Sequence, residues 1–81
     1  MKIKVLFFAR LKEMFGETSR WVEVPEGSCV RELLEYLTES GAEHVLNEVP
    51  LVFAVNENFE TDERRLKDRD ELAIMTPMSG G

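Results

Sequence analysis

The 81-residue sequence contains a single cysteine, Cys29, and a single histidine, His44. One cysteine closes no internal disulfide and builds no zinc site of the paired-cysteine type, so a reducing compartment is the natural setting and no metal site is expected. His44 has no second histidine and no serine elbow near it, which leaves a ligand or catalytic role without partners. Cations are also scarce. Ten Lys and Arg stand against sixteen Asp and Glu, a formal charge of −6 with a pI near 4.7. That balance repels phosphate backbones and anionic lipid, so neither nucleic acid nor a membrane is expected as partner, and the acidity serves solubility. Long hydrophobic runs are missing: the apolar stretch from Val5 to Ala9 is too short for a signal peptide or a membrane span, and the expected location is the cytoplasm. No glycine loop of the nucleotide-binding kind is present, because Gly80-Gly81 has neither a following helix nor a lysine. Internal repeats, low-complexity runs and inter-domain linkers are absent.

What remains is the composition of one small folded domain, residues 1–81, with 43% hydrophobic and 32% charged residues. Its pattern alternates between two periods. Lys2 to Phe8 reads as a strand with Ile3, Val5 and Phe7 on one face and Leu6 and Phe8 on the other. "ARLKEMFGE" reads as a short helical connector anchored by Leu11, Met14 and Phe15 and closed by Gly16. In "SRWVEVPEG" a second strand sets Val22 and Val24 against Trp21 and Glu23, and Pro25 stops it. The main helix follows in "SCVRELLEYLTESG": Ser28 is placed to cap it, Val30, Leu33, Leu34 and Leu37 form its apolar stripe, and Gly41 ends it. Glu32, Glu35 and Glu39 read as its solvated side. "LVFAVN" is apolar at nearly every position, as a central strand would be, and "ELAIM" is the last strand. Between them lies a charged segment with Phe59 and Leu66 as its apolar anchors.

Strand, strand, helix, strand, short strand, strand is the order of an α+β fold of the β-grasp (ubiquitin-like) type. One main helix covers one face of a mixed four- to five-stranded sheet. In that arrangement the first and last strands lie side by side at the centre. The last residues, 77–81, would then leave a central strand as a flexible Gly-Gly tail reaching at most about 17 Å. Leu6, Phe8 and Met75 would point away from the helix with Phe59 beside them, an exposed apolar patch rimmed by Arg10 and Lys12 and suited to docking. The alternative is that the charged segment or the helical connector covers these side chains. Cys29, at the helix start, is either a packed cysteine or a reactive one, and packing is the commoner case.

The blocks "KVLFFARLKEMFG", "VPEGSCVRELLEYL", "VNENF" and "LKDRDELAIMTPMSGG" resemble, in order and over nearly the whole chain, those of the ubiquitin-like sulfur carriers, and among them the small subunit of molybdopterin synthase. The resemblance implies a chain that is not an enzyme on its own and binds no cofactor itself. A partner activating enzyme would use ATP with Mg to adenylate the Gly81 carboxylate, and sulfur would then replace the adenylate. The thiocarboxylate would enter the large catalytic subunit, in an assembly of two small and two large subunits, to sulfurate a cyclic pyranopterin precursor. Gly80 would thread a narrow channel, with Pro77, Met78 and Ser79 held by the partner. Two other readings share the fold and the Gly-Gly end: a protein modifier joined through Gly81 to lysines, and a carrier for another pathway such as thiazole synthesis. The sequence departs from the resemblance at Arg69, where Gly is frequent in a turn that suits a positive backbone angle, and at Cys29, where Thr is common.

Overall fold

Burial alternates along the first and last strands, Lys2–Phe7 and Glu71–Met75. The computed structural model describes residues 1–37 and 50–77. Its elements are β1 (Lys2–Phe7), α1 (Arg10–Phe15), β2 (Ser19–Glu23), α2 (Val30–Leu37), β3 (Val52–Val55), β4 (Asn58–Glu60) and β5 (Glu71–Met75). The sheet has five strands in the order β2-β1-β5-β3-β4. β1 and β5 run parallel, and the other neighbours are antiparallel. This is the α+β ubiquitin-like arrangement expected from the element order, with the first and last strands paired at the centre. Ile3, Val5 and Phe7 of β1, Leu72 and Ile74 of β5, and Phe53 and Val55 of β3 join Val30, Leu33 and Leu37 of α2 in one buried cluster. Each fully buried side chain of this kind contributes roughly 1.5–3 kcal/mol.

The connector α1 attaches through Leu11, which is fully buried, and Phe15, whose ring stacks on Phe7 at 4.3 Å between centroids. The Arg20 guanidinium lies over both rings, at 5.6 and 5.9 Å, and is held by Glu17. Gly16 ends the helix at φ 73°, donating its N–H to the Lys12 carbonyl. Met14, expected among the anchors, is exposed instead, since the two positions four apart, Leu11 and Phe15, already occupy the inward side of so short a helix.

Two features of α2 differ from expectation. Ser28 does not cap it: its hydroxyl donates to the Pro25 carbonyl at 2.6 Å, and Cys29 is the residue that precedes the first turn. Main-chain carbonyls of a distant segment cap the helix instead. Val30 and Arg31 donate their free N–H groups to Arg64 and Asp62 at 3.0 and 2.9 Å, and Leu66 N–H returns to the Ser28 carbonyl. Glu32 is more than part of a solvated side, because its carboxylate accepts the Cys29 N–H at 3.0 Å, half of a capping box. That backbone hydrogen bond, aided by the nearby Arg65 and Arg31 charges, holds its carboxyl below the usual carboxylate range. Glu35 is exposed. Glu39, Gly41 and His44 lie outside the described residues.

A polar clamp ties the β3–β4 turn to the start of β5. Asn56 and Glu57 both take positive φ, 49° and 71°, closing a tight hairpin. The Asn56 side-chain amide donates to Asp70 Oδ1 at 2.9 Å, and its oxygen accepts the Glu71 N–H at 3.0 Å. The other Asp70 oxygen takes the Lys67 N–H at 2.8 Å. Arg69 keeps the positive φ of its turn, 69°, because main-chain bonds on both sides fix it. Arg69 N–H donates to the Lys2 carbonyl at 2.7 Å, and Lys4 N–H to that of Asp70 at 2.9 Å. The departure from glycine is therefore accommodated as strain, not as a different turn.

Two stability measurements check these contacts. Urea unfolding of Asn56→Ala is expected to show a loss of about 1–3 kcal/mol, from the unpaired Asp70 and Glu71 groups. Arg69→Gly is expected to gain about 1 kcal/mol by relieving the positive φ; a loss there would contradict the strain. For Glu32 the pKa is lower in the folded state, so its stabilisation is present above the ordinary carboxylate range and is lost as pH falls through the lowered value. Glu32→Gln is expected to flatten the acid limb of the stability–pH curve, and an unchanged limb would show that the Cys29 hydrogen bond does not favour the charged carboxylate in the folded state.

Candidate functional site

β5 is the middle strand of the sheet, bonded on one side to β1 and on the other to β3. Thr76 and Pro77 continue from its end, and Pro77 is exposed. Met78, Ser79, Gly80 and Gly81 lie outside the described residues, and with them the expected tail beyond Pro77. The point of departure is nonetheless fixed. Ile74 pairs with Phe7 of β1 and Phe53 of β3, and Met75 pairs with Val52, so the chain leaves where three strands are held together.

The face of the sheet opposite the core begins at that end. Strand register brings Ser19, Leu6, Ala73, Ala54 and Phe59 into one row across all five strands. Val52 and Met75 form part of the next row toward the tail, and Trp21, Lys4 and Glu71 a row on the other side. Leu6 and Met75 are half-buried, Phe8 is 46% exposed where β1 ends, and Phe59 is 77% exposed. Neither the charged segment nor α1 therefore covers the two phenylalanines. Phe59 is not the anchor of the charged segment that its sequence position suggested: register with Ala54 turns it to the open face, and Leu66, 3% exposed, anchors that segment alone. Arg10 and Lys12, both exposed, stand on α1, which starts two residues after Phe8.

Alternation sets Trp21 on the opposite side of its strand from Val22, and register with Lys4 places it on this face, 55% exposed. Cys29 is buried at 6% exposure, a poor position for nucleophilic chemistry. Among the described residues no three of His, Cys, Asp and Glu gather as a metal site would require, and no helix is long and apolar enough to cross a membrane. Among the described residues the arrangement offers a surface and an exit from the central strand, with no assembled acid, base or nucleophile beside them.

The ThiS family matches residues 5–81. The molybdopterin synthase sulfur carrier subunit of Arabidopsis thaliana is 40% identical over 83 residues, covering 100% of this chain and 84% of that protein. Among solved structures, a putative molybdopterin converting factor subunit 1 of Pyrococcus furiosus superposes with a TM-score of 0.84 at 30% identity, over 96% of this chain and 99% of its own. The small archaeal modifier protein 1 of Methanosarcina acetivorans gives 0.78 at 28% identity, over 99% and 96%. The fold also recurs, with a TM-score of 0.71 at 24% identity and full coverage of both chains, in a complex of subunits 1 and 2 of the molybdopterin-converting factor of Helicobacter pylori. Matched along almost its whole length, the chain belongs to the ThiS family and is similar throughout to the sulfur carrier subunits of molybdopterin synthase.

Proposed function

We propose that this chain is the sulfur carrier subunit of a molybdopterin synthase, with Gly81 as the residue that carries the sulfur. The observation that supports it most is the departure of the chain's end from the central strand beside an uncovered apolar face. A partner docked on Leu6, Phe8, Phe59 and Met75 receives the tail in a fixed direction, and residues 77–81 reach at most about 17 Å into it. The full-length likeness to a sulfur carrier subunit supplies the chemistry.

A carboxylate resists nucleophilic attack because it is already negative and has no good leaving group. In the proposed cycle the activating enzyme joins the Gly81 carboxylate to AMP from ATP, with Mg, and releases pyrophosphate. A sulfur nucleophile then attacks the acyl carbon and AMP leaves, so that a thiocarboxylate stands where the carboxylate was. In the large subunit the thiocarboxylate sulfur bonds to a carbon of the cyclic pyranopterin precursor as a bond from that carbon to oxygen breaks, the oxygen leaving with the electron pair and taking up a proton. Water cleaves the acyl–sulfur bond and regenerates the carboxylate. A dithiolene needs two such deliveries, in keeping with an assembly of two carriers and two large subunits. Gly80 passes a channel that a side chain would block, while Pro77, Met78 and Ser79 span it. Arg10 and Lys12 pair with acidic groups at the rim, contributing under about 1 kcal/mol each. The chain supplies no cofactor and works in the cytoplasm.

A second reading, attachment through Gly81 to lysines of other proteins, is favoured by the likeness to the archaeal modifier. Single-turnover transfer separates the two. The thiocarboxylate form of the carrier, mixed with the large subunit and the pyranopterin precursor, is expected to yield dithiolene product and return to the carboxylate. Gly80→Ala is expected to slow that transfer by at least about tenfold while leaving the urea midpoint unchanged. Absence of product together with isopeptide adducts on lysines in cell extract would favour the modifier.

A further inference from the structure

Trp21 lies on the open face but outside the docking surface described above. It sits opposite Lys4, which in turn pairs with Glu71, one row removed from Leu6 and on the side away from the tail. A shallow cleft lined by Lys2, Trp21, Val22, Glu23 and Arg69 opens beside it. Size bears on whether a docked partner stops short of this corner. Five strands about 4.8 Å apart and about 17 Å long present roughly 300 Å² in projection, whereas a stable interface takes about 800 Å² of accessible surface from each partner. Accessible area exceeds projected area and the inserted tail buries surface of its own, yet a footprint that takes in the whole face comes nearer to that size than one confined to half of it. Charge bears on what the corner receives. Lys2, Lys4 and Arg69 are matched there by Glu23, Asp68 and Glu71, so the corner is locally neutral in a chain of net charge −6. An apolar contact suits it better than an ionic one.

We propose that Trp21 is a contact residue for the large synthase subunit, which covers the open face from Phe59 to Trp21 and seats an apolar side chain in the cleft between Trp21 and Arg69. The proposal rests on the sulfur-carrier reading. It adds a second anchor at the far corner of the sheet, where contact is independent of the tail. Trp is the residue type most enriched among the few side chains that dominate binding energy. Its alternative role is to shield the exposed edge strand β2, which would leave it solvent-exposed in the complex.

Trp21 is the sole tryptophan, so carrier labelled with 5-fluorotryptophan gives one fluorine resonance. In the complex with unlabelled large subunit, the H2O/D2O isotope shift of that resonance is expected to disappear. By calorimetry, Trp21→Ala and Phe59→Ala are each expected to raise the Kd at least about tenfold, with both variants folded by thermal melting. If Phe59→Ala weakens binding while Trp21→Ala stays within about twofold and the isotope shift persists, Trp21 is an edge guard and the inference fails, with the carrier reading intact. If neither substitution weakens binding, the open face is not where the large subunit docks and both readings of it fall.

Discussion

The parallel pairing of β1 with β5 is the constraint on which the rest of the structure depends. It joins the two ends of the chain, placing Val5 beside Leu72 and Phe7 beside Ile74, all of them buried. A parallel pair cannot close through a tight turn, so everything between the two strands must serve as crossover, and the main helix and the hairpin occupy that path. The polar contacts at one end of the pair hold its register. Asp68, Arg69 and Asp70 bond to the backbone of Lys2 and Lys4, and Asn56 binds Asp70 and Glu71 from the other side. A slip by one residue would turn Leu72 and Ile74 to solvent and lose these bonds together.

That pairing also carries the function. With β5 bonded on both sides, the chain leaves from the most constrained part of the sheet, so the position of its exit is known to a partner before binding. The open face needs no separate device: strand alternation that buries Ile3, Val5 and Phe7 obliges Leu6 and its neighbours across the register to face outward. One alternation thus makes both the core and the surface. Catalytic groups are not required in a sulfur carrier subunit.

Much of this was legible in the sequence because a period of two and a period near four are local signals. The strand faces, the main helix stripe and the outward placement of Leu6 and Met75 follow from them directly. What escaped was nonlocal. The capping of α2 by the Asp62 and Arg64 carbonyls depends on a segment about thirty residues away folding back, so local propensity pointed to Ser28 instead. Phe59 had two readings in the sequence, an anchor among charges and a member of the outward patch, and only its register with Ala54 decides between them. Asn56 and Asp70 stand inside the blocks "VNENF" and "LKDRDELAIMTPMSGG", but their role, a pair of side chains completing main-chain bonds across two strands, shows only in the fold. Arg69 shows how far tertiary bonds override preference, since they hold a residue at φ 69° that local energetics disfavour. Trp21 had no partner in the sequence to mark it as part of a surface.

The central claim is that Gly81 carries sulfur. The most direct test is the intact mass of the chain after incubation with ATP, a sulfur source and its native activating enzyme. A gain of about 16 Da, one oxygen exchanged for sulfur, located on Gly81 and abolished when Gly81 is deleted, is the predicted result. An unchanged mass under conditions in which the activating enzyme turns over ATP with the carrier present would contradict it.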